Sequence, residues 1–433
     1  MCTTNETTSS TSVANIWRPD DGQQPVPKKP GSTELFRPDV LETIEKKIQE
    51  LDKELHVLSL DIHAHPELGY QEFHAHDTYT AFMEKHEWDV TRKFHLDTAW
   101  QAVFTHGSGG RTIGVNSEMD ALKGVGHACG HNLIGIAGVA IAMGLRAAME
   151  KHDIPGKIEL LGTPAEEGGN GKGRLLDAGA YKGMDICVMC HPAPGPVGSV
   201  SLSGSLAVEA LVAEYKGKNA HAALSPWEGK NALDAAVLAY NNIAALRQQL
   251  KPTHRIHGIF EGTNWVVNII PENAKFLCLI RAPTIKEVKE DVERVRACLE
   301  AAGLATGCEA KVESLTNMFE IRQNTALGGE VANIVLNKYG AIDYEYGISS
   351  ASTDFGVVSY ALPSLHPGFA IPTVIDGGNH TPQFAQASTT QEAHYATLDV
   401  SKALAGTAAR VLLDDTFFDH VKKSFESDRL VRG

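Results

Sequence analysis

From Thr112 to Leu145 the chain passes from a short β-branched run, through a polar stretch, into a run with no polar residue. The first part, 112–116, reads as a strand of a buried sheet. The last, 133–145 (Leu-Ile-Gly-Ile-Ala-Gly-Val-Ala-Ile-Ala-Met-Gly-Leu), reads as an inner helix packed closely through its small residues, because a helix apolar all round has to be covered on every side. Between them, from Glu118 to His131, stand two carboxylates, two histidines and a thiol. A polar cluster between a buried strand and a buried helix belongs at the carboxyl edge of an α/β sheet, where ligand sites gather.

The rest of the chain fits that placement. Residues 99–105 read as another strand. The strand 157–163 ends in Pro-Ala-Glu166-Glu167, and the strand 185–190 ends in His191-Pro192. From Pro38 the spacing of Val40, Leu41, Ile44, Ile48, Leu51, Leu55, Leu58 and Ile62 predicts a helix. That helix runs into His63-Ala-His65-Pro66; the histidines suggest a metal pair, but Pro66 breaks the helix there and a structural role is preferred. Residues 1–36, rich in Ser, Thr and Pro, read as a loose polar leader. Between 206 and 315 the pattern changes to strand 207–215, helix 232–250, strands 255–260 and 274–281, helix 285–302 and strand 309–313. This β-α-β-β-α-β order is ferredoxin-like. It divides the chain into an α/β domain made of 37–205 and 316–433, and an inserted α+β lid. The α/β character returns over 344–360 and 369–379, and 388–413 predicts a closing helix.

Composition narrows the function classes. A formal charge of −14 argues against nucleic acid and anionic membranes as partners. The 7 cysteines, odd in number and scattered, suit a reducing compartment. With no secretory signal visible and the run 133–145 too short to span a bilayer, the expected compartment is cytoplasmic.

Cys, His, Glu and Asp are the side chains that hold zinc and similar cations. Cys129 and His131, one residue apart, can reach one cavity; alone they read equally as metal ligands and as a buried cysteine beside a helix-capping histidine. Two adjacent carboxylates after a buried strand, Glu166 and Glu167, need compensating positive charge unless they form a solvated pair on a loop. One can ligate a metal while the other takes a proton from water. Asp120 can orient a ligating histidine. Cys187-Val-Met-Cys190-His191 matches a haem-attachment spacing but lies in a predicted buried strand. Gly168-Gly-Asn-Gly-Lys172-Gly173 lacks the spacing and the Ser or Thr of a phosphate loop, and reads as a flexible loop beside the carboxylates.

These pieces resemble the di-zinc amidohydrolase and metallopeptidase family M20. The motifs that carry the likeness are His65-Pro-Glu-Leu-Gly-Tyr-Gln-Glu72, Glu118-Met-Asp-Ala-Leu122, His127-Ala-Cys-Gly-His131, Thr163-Pro-Ala-Glu-Glu167, Cys190-His-Pro192, Asn219-Ala-His-Ala-Ala223 and Ser352-Thr-Asp-Phe-Gly356. The cysteine points to the auxin-conjugate-hydrolase branch, and 226–242 to its β-alanyl-lysine dipeptidase-like subgroup. The resemblance implies a zinc-peptidase-like three-layer α/β catalytic domain with a ferredoxin-like lid. It implies two divalent metal ions, zinc foremost with manganese or cobalt as alternatives, bridged by Cys129. Glu167 and His380 would complete one site, and His131 and His191 the other. Glu166 would be the general base, His221 would hold the oxyanion, and Asn268 and Arg281 would hold the substrate carboxylate. The implied reaction is hydrolysis of a small dipeptide or N-acyl amino acid by a lid-mediated homodimer. The rivals are amide formation or trimming of a biosynthetic intermediate at the same site, and a catalytically silent binding protein. In one departure Glu118 stands where the branch commonly has Asp, and it is not expected to be a ligand.

Overall fold

The computed structural model describes residues 34–195, 198–343 and 351–432. The expected leader therefore lies almost wholly outside the described residues, as does 344–350. Helices α1 (Pro38–Ala64) and α2 (Phe73–Lys85) precede strands β1 (Asp89–Arg92), β2 (Trp100–His106) and β3 (Arg111–Glu118). Helix α3 (His131–His152), strand β4 (Gly156–Thr163) and the short helices α4 (Glu166–Gly169) and α5 (Gly171–Asp177) follow. Then come β5 (Ile186–Val188), β6 (His191–Pro194) and β7 (Ser199–Ser201). The inserted unit contains β8 (Ala207–Lys216), α6 (Ala232–Leu246), β9 (Arg255–Glu261), β10 (Asn273–Ala282), α7 (Ile285–Thr306) and β11 (Glu309–Met318). The chain closes with α8 (Thr325–Lys338), β12 (Ala341–Asp343), α9 (Phe355–Ala361), β13 (Ser364–Leu365), β14 (Gly368–Ile371), α10 (Pro382–Ala387), α11 (Gln391–Leu413) and α12 (Asp415–Arg432).

The main sheet runs β1-β2-β4-β3-β5-β13, with β4, β3, β5 and β13 parallel. Helices α1, α3 and α11 cover one face, while α5 and α9 pack on the other, giving three layers. Every residue of α3 from His131 to Leu145 is buried. At 22 residues α3 is long and apolar enough to cross a bilayer, but 89% of its apolar window is buried inside the fold. Burial, then, and not the shortness inferred from the sequence, is what marks it as a core helix.

Small residues let α3 sit against the sheet. A Cβ added at Gly138 would lie 2.2 Å from Ser117 Oγ, and one at Gly135 1.9 Å from the Tyr79 hydroxyl. Glu118 pairs with Thr163 across the β3–β4 ladder, so both strands end at one level. The strand expected over 185–190 breaks after Val188. His191 opens a second sheet, ordered β12-β7-β14-β6.

The inserted unit is an antiparallel sheet ordered β11-β8-β10-β9, with α6 and α7 against one face and a core of its own. Its last strand continues to Met318 and its first helix ends at Leu246. Periodicity does not predict helices α2, α8 and α12. The stretch 168–173 is not a flexible loop: it is built into α4 and α5, and Lys172 within it is fully buried.

Gly138→Ala should force α3 off β3 and lower stability by about 1–3 kcal/mol. Urea unfolding checks this, and an unchanged midpoint would contradict the close packing described.

Candidate active site

Four chain segments meet beyond the carboxyl ends of β3, β4 and β5. The first is the turn from Glu118 to His131. Gly130 takes φ 83° just before α3, and a Cβ there would lie 2.6 Å from Pro192 Cγ. That close approach to the second segment, at His191, brings Cys129 Sγ to 3.3 Å from His191 Nε2. His191 Nδ1 donates to the Pro192 carbonyl at 2.8 Å, which leaves the Nε2 lone pair facing the thiol. The third segment, Ala165 to Asn170, carries Glu166 and Glu167. The Asp120 carboxylate accepts both of their backbone N–H groups, at 3.1 and 2.9 Å, and Glu72 accepts that of Ala165 at 2.8 Å. The fourth brings His380, whose N–H donates to the Ala128 carbonyl at 2.8 Å and whose Nε2 lies 3.4 Å from Glu167 Oε1.

The result is two donor groups sharing one thiol. Cys129, His131 and His191 offer ligand atoms within 4.8 Å of one another, and so do Cys129, Glu167 and His380. Among the polar atoms of these segments that are buried without a hydrogen-bond partner are both ring nitrogens of His131, Oε1 of Glu167 and Oε2 of Glu118. Orphaned buried polar atoms are costly unless something binds them. A soft thiolate with imidazoles and a carboxylate fits a zinc-like cation.

Electrostatics set the two adjacent glutamates apart. Burial pushes the Glu166 carboxyl well above the usual range, with Glu118 and Glu167 adding repulsion. Burial acts the same way on Glu167, but the neighbouring His380 and His131 outweigh it and hold Glu167 at about 2. Burial would lower His131, yet Glu118 and Asp120 raise it well above its ordinary value. Asp120 Oδ1 sits 3.3 Å from His131 Nδ1, on the ring side opposite Nε2. Burial, followed by the charge of Glu167, raises the Cys129 thiol; a bound cation reverses this by holding the thiolate.

A cleft of about 500 Å³ opens onto Cys129, Glu166, Glu167, His191 and His380. Its roof is the helix-free face of the inserted sheet, with Val208, Ala210, Leu279 and Met318. Arg281 projects from the same roof, its Nη1 donating to Ser352 Oγ at 2.7 Å on the opposite wall and its Nε to His257 at 3.3 Å. His221 and Asn268 do not line this cleft. They are neighbours on the exposed surface of the inserted unit, where the Ala222 N–H donates to the Asn268 carbonyl at 3.0 Å. His63 is tied to the Ala385 carbonyl, and His65 and His74 gather on Asp61 at the surface, away from the cleft.

Residues 204–306 match the peptidase dimerisation domain of M20 enzymes. The chain is 39% identical over 416 residues to the Xaa-Arg dipeptidase of Mus musculus, spanning 92% of this sequence and 95% of that one. It belongs to the M20 peptidase family. It is also 27% identical over 430 residues to a chain of the p-aminobenzoyl-glutamate hydrolase of Escherichia coli K12, covering 81% and 87% of the two sequences. A dinuclear metal-binding M20 peptidase of Bacillus subtilis shares the fold, with a TM-score of 0.64 at 19% identity over 84% of this chain and 99% of that one.

In this M20 hydrolase, sequence reasoning misses Lys172 and Asp354 as parts of the site. Lys172 Nζ donates to Asp354 Oδ1 at 2.5 Å and to Glu118 Oε1 at 2.6 Å, deep under the cleft. The available signal is a lysine in a glycine-rich stretch directly after a buried strand.

Elemental analysis of protein prepared without chelator should find a pair of metal ions per chain, with the count falling in Cys129→Ala, since both donor groups lose their common ligand. Asp120→Ala should weaken metal binding about 10- to 100-fold by releasing His131 and the Glu166–Glu167 backbone together. Full metal content in both variants at limiting metal would contradict this assignment.

Proposed function

We propose that this M20 enzyme hydrolyses the amide bond of a small dipeptide or N-acyl amino acid. The observation that carries the reading is the pair of donor groups joined by one thiol, with the proton-attracting Glu166 beside them at the cleft. The names of its relatives describe one chemistry. A dipeptide and an aminobenzoyl-glutamate each carry an acyl group on an amino-acid nitrogen, next to a free carboxylate.

Cys129, His131 and His191 would hold one divalent cation, and Cys129, Glu167 and His380 the other, with zinc the best match to the thiolate. When bound, the pair supplies Lewis-acid polarisation of the carbonyl and lowers the proton affinity of a water. The chain's own residues do the rest. Glu166 takes the proton from that water and delivers it to the nitrogen of the leaving amine. Asp120 keeps His131 in one orientation. Arg281 offers a guanidinium to the substrate's carboxylate, a pairing suited to its planar fork. The apolar roof strands exclude bulk water from the reacting bond.

His221 and Asn268 act in the site of a second copy, across a dimer formed by the inserted unit. The Nδ1 of His221 accepts the N–H groups of Ala223 and Leu224, at 3.2 and 3.0 Å. The ring proton is therefore on Nε2, available to an oxyanion. Strand β9 is an unpaired sheet edge that exposes Ile259 and Phe260, and α6 exposes Val237 and Tyr240. Such an apolar edge suits pairing with an identical edge.

Glu166→Ala should abolish turnover of dipeptides and N-acetyl amino acids while keeping its metal, whereas Arg281→Ala should raise KM about 10- to 100-fold. A fully active Glu166→Ala enzyme would remove the base. Mixing inactive Glu166→Ala with inactive His221→Ala, then allowing subunit exchange, should restore about a quarter of wild-type activity, because one site of each mixed dimer is whole. No recovery, with mixed dimers present, would place His221 in its own chain's chemistry or in none.

A further inference from the structure

The ammonium of Lys172 is fully enclosed, as are the two carboxylates that hold it, Glu118 and Asp354. Its backbone N–H also donates to Asp354 Oδ2 at 2.8 Å, so one aspartate grips both ends of the residue. Glu118 ends β3, and its second oxygen, without a hydrogen-bond partner, lies 3.3 Å from His131 Nε2. Asp354 directly follows Ser352 and Thr353, which line the cleft, and Ser352 receives Arg281. Lys172 itself follows closely on the Glu166–Glu167 turn. That turn has left-handed backbone at Ala165 and Asn170, with φ 55° and 53°, and is pegged at its near end by Asp120 and Glu72. One cation thus joins the base-bearing turn, the strand under His131 and the wall that meets Arg281.

A triad of this kind is a poor device for stability alone. Desolvating three charges costs about as much as their attraction returns, and neutral replacements of similar shape are often as stable. Its formal balance is one positive charge against two negative, placed directly under His131 and within reach of Glu166: Glu118, Glu166 and Asp354 have carboxylate oxygens within 4.8 Å of one another. Nothing in the hydrolytic reading requires a lysine here, yet the residue fixes three parts of the site relative to each other.

We propose that Lys172 is a positioning residue, whose ammonium, clamped between Glu118 and Asp354, sets the placement of His131 and of the Glu166–Glu167 turn against the cleft wall. The role rests on the metal-centre reading above. It predicts that changing the clamp alters the geometry of the bound metal before it alters substrate affinity.

The test uses the full chain loaded with cobalt, whose visible bands report ligand geometry. Glu118→Gln keeps the shape and leaves Lys172 paired with Asp354. The triple variant Glu118→Gln, Lys172→Met, Asp354→Asn neutralises the whole cluster. Both should take up cobalt with shifted bands, and kcat should fall about 10- to 100-fold while KM stays within about two-fold. Wild-type bands and wild-type kcat in Glu118→Gln, whatever its unfolding midpoint, would overturn the proposal and leave Lys172 a packing role; that variant decides the matter should the triple variant not fold. Wild-type protein that takes up no cobalt overturns the metal-centre reading itself, and the positioning role with it.

Discussion

Buried negative charge is the constraint on which this structure turns. Glu118, Asp120, Glu166 and Asp354 are all buried within one region, and Glu167 stands at its rim. Carboxylates withdrawn from water need donors or cations. The fold supplies them in layers: backbone N–H groups for Asp120 and Glu72, the ammonium of Lys172 for Glu118 and Asp354, and the His131 ring between the two sets, 3.3 Å from Glu118 and from Asp120. Helix α3 begins at His131, so the positive end of a 22-residue helix dipole also faces the cluster. Cys129, His191 and His380 then surround the carboxylates that still have free oxygens. Several strand ends converge here on one helix start, which places the candidate site at the sheet's carboxyl edge.

The main outline of this was legible in the sequence. The strand–polar–helix unit around Glu118 to His131 announced an α/β core, and the β-α-β-β-α-β order announced the inserted unit. Polar residues at strand ends marked Glu166, Glu167 and His191, and their gathering around Cys129 follows from parallel strands ending at one level. What stayed hidden depended on distant partners. Glycines around Lys172 have the composition of a flexible loop, and only Asp354, 182 residues further on, makes that lysine a buried clamp. The structural role preferred for His63 and His65 stands, but their partners were not legible: His63 reaches the Ala385 carbonyl and His65 turns back to that of Asp61. His221 and Asn268 came from family likeness alone, and no local pattern tells whether such residues serve their own chain or another copy. Helix α12, rich in charge, gave no apolar run strong enough to stand out.

The inserted unit does two jobs with one sheet. Helices α6 and α7 shield one face, and the bare face roofs the cleft. Alternation along the strands makes this possible: Leu211 and Ala213 point to the helices, while Val208 and Ala210 point to the site. Because the sheet has its own core, its outer edge can carry contacts unrelated to the roof without disturbing it.

The hydrogen bond from Arg281 to Ser352 spans the cleft from roof to wall. On the proposed function, in which Arg281 anchors a substrate carboxylate, binding would be an exchange: the incoming anion would displace a neutral hydroxyl already in place. A charged acceptor wins that exchange, since charge-assisted hydrogen bonds are roughly twice as strong as neutral ones. An amide or ester in the same position gains almost nothing over serine. On that reading the resting contact would act as a threshold, favouring molecules with a free acid end over blocked peptides and the interior bonds of longer chains.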